Sequence, residues 1–123
     1  CSLTNMRLKG YCCSSMQLSC GGQLCYAVLD KQTIEKFGAS PTDLSNIVNY
    51  TLMTHGVRLG ILFEEHDDFI KVSFRSRKGI NVCDLAHSLG GGGHELAAGV
   101  RIREPLAIAQ RQVLDAAKEM IAQ

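Results

Sequence analysis

Arg75, Ser76, Gly91, Gly92, Gly93 and His94 are the residues whose types and order suggest chemistry, and that chemistry is the holding of an anion. With Gly90 the glycines form an unbroken quartet, directly followed by the histidine. Each glycine inside an element weakens it by roughly 0.5–1 kcal/mol relative to alanine. Four together therefore cost about 2–4 kcal/mol, a large share of the roughly 5–15 kcal/mol that keeps a domain folded. Such a stretch needs a reason. Glycine permits positive φ and close backbone approach, and a short helix starting at His94 would aim its free N–H groups into the space left open. The imidazole itself can donate to a phosphate oxygen. The competing reading is a tight turn between helices, with the glycines near a C-cap. A nucleotide-binding P-loop is excluded, because Gly93 is followed by His94 and Glu95 instead of a lysine and a hydroxyl residue.

The guanidinium that would share such a site comes from an alternating segment. Ile70, Val72 and Phe74 fall on one side of a strand, with Lys71, Ser73, Arg75 and Arg77 on the other. Lys78 extends this run of cations, which contains no acid; a solvated face is the plain alternative. Residues 58–64 are predicted to pair antiparallel with 69–76 through the acidic turn Glu65-His66-Asp67-Asp68. That turn reads as a solvated tip rather than a metal site. Residues 82–89 follow helical spacing behind Asn81 as cap, and the glycines end that helix. A brief strand over 99–103 comes next, then a final helix opened by Glu104-Pro105 with Leu106, Ala109, Val113, Ala117 and Met120 on its buried stripe.

Upstream, residues 3–19 are expected to be helical, interrupted near Gly10 and closed by Gly21-Gly22. Leu24 to Leu29 is an apolar run of strand length, predicted to be an inner strand buried on both faces. Residues 33–37 form one or two helical turns ended by Gly38. Ser40-Pro41 with Asp43 opens a helix that buries Leu44, Ile47, Val48 and Leu52 and stops at His55-Gly56. Asn46 and Asn49 are assigned to solvent or to contacts between domains. The predicted fold is α/β: a single domain with a mixed sheet of four to five strands and helices packed on its faces.

At 123 residues, with 46% hydrophobic and 20% charged, there is material for one core but not for two domains. A net charge of +1 argues against a broad nucleic-acid surface, so any basic site must be local. No apolar run is long enough to span a membrane and no secretory signal order is present, which predicts a cytoplasmic protein. Beginning on Cys1 suggests a piece of a longer polypeptide; a mature lipoprotein would show a polar tether, where Leu3, Met6 and Leu8 stand instead. Cys1, Cys12, Cys13, Cys20 and Cys25 crowd the first 25 residues without zinc-ligand spacing. Cys13 and Cys20, with Met16 between them, are expected on one helical face as core residues.

Gly90-Gly91-Gly92-Gly93-His94-x-x-Ala97-Ala98-Gly99, preceded by Ser73-x-Arg75-Ser76, resembles the DHH-associated domain of the DHH phosphoesterase superfamily. The likeness is nearest its oligoribonuclease and phosphoadenosine-phosphate phosphatase branch and covers most of the chain. It implies that residues 1–21 lead in from a missing catalytic domain and that 22–123 are the substrate-binding domain. It also implies two manganese ions in that missing domain, with none held here. Arg75, Ser76, Gly91, Gly92, Gly93 and His94 would contact the phosphate end of a nucleotide or short RNA or DNA. A homodimer is compatible with this reading, and no DHH triplet is present: His66-Asp67-Asp68 does not match it. Alternatives are a tRNA-gripping module without hydrolysis, like the related domain of alanyl-tRNA synthetases, a cyclic-dinucleotide phosphodiesterase domain, and a dimerising domain in which the glycines only pack.

Overall fold

The computed structural model describes residues 2–123. Their strands are β1 (Gln17–Ser19), β2 (Leu24–Leu29), β3 (Leu59–Glu65), β4 (Ile70–Ser76), β5 (Gly92–Gly93) and β6 (Ala97–Ile102). They join in one open sheet in the order β1-β2-β3-β4-β6-β5. Only β2 and β3 run parallel; the other neighbours are antiparallel. The helices are α1 (Leu3–Ser15), α2 (Lys31–Phe37), α3 (Val82–Ser88) and α4 (Leu106–Ala122). The α/β class and mixed sheet are as the sequence predicts. Six strands replace four or five because β1 and β5, at three and two residues, are too short to show a period-two pattern.

Side-chain alternation gives the sheet two different faces. Leu59, Ile61 and Phe63 of β3, Val72 and Phe74 of β4 and Val100 of β6 point to one side, where α3 and α4 close the main core. The stripe Ala109, Val113, Ala117 and Ile121 of α4 lies fully inside it, with Met120 only partly buried. Alanine at two of these positions lets the helix sit close to the strands. On the opposite face, Ala27, Leu29 and Leu62 are covered by Leu8 and Cys12 of α1 and by Leu44, Ile47 and Val48. This second cover reaches across β2 and β3 to the Arg75 end of β4, and leaves the rest of β4, β6 and β5 open. Burying a side chain such as Phe63 or Phe74 stabilises by about 1.5–3 kcal/mol, so the fully covered face supplies most of the stability.

Three local expectations change. The first helix ends at Ser15, since Met16 is extended and Gln17 begins a strand. Cys12, in register with Leu8, is therefore the buried cysteine of α1, while Cys13 is exposed. Cys20 lies in a 3-10 turn, Cys20–Gly22; Cys1 lies outside the described residues. The expected helix over 41–55 is two 3-10 segments, Pro41–Leu44 and Ile47–Leu52. Ser40 and Asp43 do form a capping box around Pro41, but Asn46 adopts the left-handed conformation at φ 63° and breaks the run. No helix starts at His94. Gly92 and Gly93 pair with Gly99 and Ala98, making a hairpin whose tight turn is closed by the amide of His94 donating to Ala97 O at 2.8 Å.

Among the described residues no helix is long and apolar enough to cross a membrane.

Candidate functional site

The uncovered half-face forms a groove of about 620 Å³ along β4, β6 and β5. Lys71, Ser73 and Arg75 supply one side and Arg101 stands opposite Lys71 in the β4–β6 register. Gly90, Gly91, Gly92 and Gly93 close the other side. No aspartate or glutamate is among the lining residues, so three cations face one concavity in a chain of almost balanced charge.

The glycines have separate jobs. Gly90, at φ 96°, ends α3: its amide donates to His87 O at 3.1 Å and that of Gly91 to Ala86 O at 2.7 Å, the pairing of a Schellman cap. A side chain at Gly91 would place its Cβ 2.2 Å from Gly99 O, and one at Gly93 would place it 2.5 Å from Ala98 Cα. These two are glycines because main chain lies against main chain. At Gly92 a Cβ would meet nothing within 4 Å, in a residue that lines the groove. The C-cap reading holds for Gly90, which ends α3, while the other glycines build a hairpin beside the groove in place of the expected helix start.

Arg75 is half-buried and pre-positioned. Its Nε donates to Asn49 Oδ1 at 3.2 Å and Nη1 to Phe74 O at 2.8 Å. A guanidinium carries five N–H donors, so three are left for a ligand. Partial burial pulls its pKa below the ordinary arginine value, yet an arginine stays charged at neutral pH. Asn49 reaches it because the 3-10 segment Ile47–Leu52 presses onto β3 at Gly60, where a Cβ would lie 2.0 Å from Thr51 Oγ1. Gly60 is paired with Arg75 across β3–β4. A glycine inside an otherwise apolar strand was the available signal for this approach; Asn49 is exposed, as expected, and is also a neighbour of the site.

The other predicted residues sit elsewhere. Ser76 is buried; its Oγ donates to Ile80 O at 2.7 Å and lies 3.4 Å from Glu95 O, and its amide donates to Leu96 O at 3.0 Å. It ties the hairpin turn to the end of β4. His94 is exposed at that turn and is not among the groove's lining residues. Arg77 leaves the cation ladder altogether: Nε donates to Val57 O at 2.9 Å and Nη2 to Leu52 O at 2.6 Å, closing the end of the second 3-10 segment. Arg101, in the alternating segment over 99–103, joins the groove only through the strand register. The acidic turn behaves as a surface tip, with Asp67 bonded to Lys31 Nζ at 2.6 Å. Among the described residues no three His, Cys, Asp or Glu side chains are grouped to hold a metal ion. The manganese ions that the resemblance implies for a separate domain therefore do not fit the described side chains of this chain.

A mixed sheet covered on one face and half-covered on the other, with a hairpin of glycines at its open margin, is the class of domain that this geometry defines. The chain belongs to the DHHA1 domain family, whose model matches residues 21–123, and so to the DHH superfamily of phosphoesterases. Over 100 residues it is 37% identical to the bifunctional oligoribonuclease and PAP phosphatase NrnA of Bacillus subtilis, covering 81% of this chain and 31% of that protein. Over 114 residues it is 33% identical to the protein of the same description from Thermus thermophilus, covering 92% and 34%. An exopolyphosphatase-related protein from Bacteroides fragilis, of known structure, superposes with a TM-score of 0.90 at 27% identity, over 100% of this chain and 37% of that one. The chain thus spans about a third of the length of each of these relatives.

Proposed function

We propose that this chain is the substrate-recognition domain of a DHH-type phosphoesterase, and that its groove holds the phosphate-bearing end of a short oligonucleotide or small nucleotide. The observation that carries this reading is the convergence of Arg75 and the glycine hairpin on one concavity with no acid in its lining. Arg75 makes charge-assisted hydrogen bonds to phosphate oxygens with the donors that Asn49 and Phe74 leave free. The hairpin keeps side chains out of the way, so the ligand can approach the main chain. Hydrolysis belongs to a separate domain carrying the two manganese ions, and this chain selects what reaches it. The names of the two NrnA relatives, joining oligoribonuclease and PAP phosphatase, support substrates that end in a nucleotide phosphate. In this reading Ser76 and His94 shape the hairpin instead of touching the phosphate.

Titration of the chain with adenosine monophosphate tests it. Charged hydrogen bonds contribute about 1.5–3 kcal/mol, so Arg75→Ala is expected to weaken binding about 10- to 150-fold. Equal affinity before and after the change overturns the assignment. The tRNA-gripping alternative calls for a broad basic surface and a steep salt dependence; a groove lined by three cations is a local basic site, too small for that role.

A further inference from the structure

The groove does not end at Arg75. Lys71 lies four residues back on the same face of β4, about 13 Å away at about 3.3 Å per residue, and Arg101 is its direct partner on β6. That is the backbone separation, and because Arg75 is tethered to Asn49 Oδ1 and Phe74 O, a phosphate held at its guanidinium leaves the Lys71 end free for another. Neither Lys71 nor Arg101 has an acidic partner within 4 Å among the described residues, where Lys31 is paired with Asp67. The nearest carboxylate in the register, Glu64 opposite Lys71, is buried and directed to His66 Nε2 at 3.2 Å. Arg101 is also held in place: its guanidinium carbon lies 4.6 Å from the centroid of Phe69, which stacks on His66 at 5.0 Å and 30°. A guanidinium resting on a ring, beside a free ammonium, is two positive charges kept together without neutralisation. Their mutual repulsion is relieved by an anion set between them.

Resting on the function proposed above, we infer that Lys71 and Arg101 form a second phosphate subsite, which takes the internucleotide phosphate of an oligonucleotide whose terminal phosphate sits by Arg75. The pair then reads chain length: a mononucleotide fills only the glycine end, whereas a dinucleotide or longer fragment engages both. Selection between small nucleotides and short oligonucleotides is built into the floor of one groove.

The test compares adenosine monophosphate with 5′-phosphorylated diadenylate on the 123-residue chain and its Lys71→Met/Arg101→Met variant, across a salt series. Both side chains are exposed, and thermal melts of the variant serve as the folding control. The wild-type chain is expected to prefer diadenylate. The double variant is expected to bind adenosine monophosphate within twofold of wild type and diadenylate at least tenfold more weakly. Its salt slope for diadenylate should fall by about 0.7, the value for one single-strand phosphate contact, and Arg101→Lys with Lys71 intact should keep most of the preference. Unchanged diadenylate affinity and slope in the double variant overturn the subsite, while Arg75→Ala still weakening adenosine monophosphate leaves the first reading standing. If Arg75→Ala changes neither ligand, the first reading fails and takes the subsite with it.

Discussion

Gly91 and Gly92 are neighbours of the same type, and the structure assigns them opposite tolerances. An alanine at 91 would bring its Cβ to 2.2 Å from Gly99 O and 2.6 Å from Val100 Cβ. Neither neighbour is the free end of a flexible side chain, so β5 or β6 has to shift. Overpacking of that kind typically costs about 1–3 kcal/mol. At about 4 °C per kcal/mol for a domain of this size, the melting temperature of Gly91→Ala should fall by about 4–12 °C. Gly92→Ala meets no atom within 4 Å and requires no left-handed backbone. Restricting the unfolded chain then adds about 0.4–1 kcal/mol of stability, so its melting temperature should stay level or rise by about 2–4 °C. The methyl group would nevertheless enter the groove, and adenosine monophosphate should bind several-fold more weakly. Differential scanning calorimetry and ligand titration on the two variants separate packing from access. Gly92→Ala melting as low as Gly91→Ala, or Gly91→Ala melting like the wild type, would overturn these opposite tolerances. Unchanged nucleotide affinity in Gly92→Ala would move the ligand out of the groove.

Arg77→Ala should lower stability by about 1–3 kcal/mol through loss of its bonds to Val57 O and Leu52 O while leaving nucleotide affinity unchanged, the reverse of Arg75→Ala; chemical denaturation paired with titration distinguishes them. Burial pushes the Cys12 thiol up to about 12, whereas Cys13 is exposed, so native-state alkylation read by mass spectrometry should label Cys13 and spare Cys12. Because the unfolded chain ionises Cys12 first, the folded state should lose stability as pH rises from 9.0 to about 12. A Cys12→Ala variant should show a flatter alkaline arm in urea titrations, and an identical arm would refute the assignment.

What the sequence could show depended on whether a signal was local. Alternation in 70–76 marks the two faces of β4, and Asn81 and Gly90 mark the ends of α3, because caps and periods act on near neighbours. The cap at Ser40, Pro41 at the first position and the acid Asp43 also read correctly, but a left-handed Asn46 diverts the chain, and nothing in its neighbours announces that. The glycine hairpin looked like a helix start because its partner, Ala98-Gly99, is chosen by pairing rather than by propensity. Arg75 was visible as a cation on a polar face. Arg101 and Asn49 were not assigned to the site, since one arrives through strand register and the other over the shoulder of Gly60. Arg77 shows the converse: two residues beyond Arg75, it is spent on two carbonyl groups.

The outermost strands, β1 and β5, are three and two residues long, and β5 is all glycine. Exposed ladder edges ordinarily template association between molecules. Margins this brief give an incoming strand almost no rail to zip along, and the sheet can leave half of one broad surface bare without inviting fibrils at its rims. Lengthening the glycyl margin by a few β-branched residues would remove that protection, even if every residue of the groove were left in place.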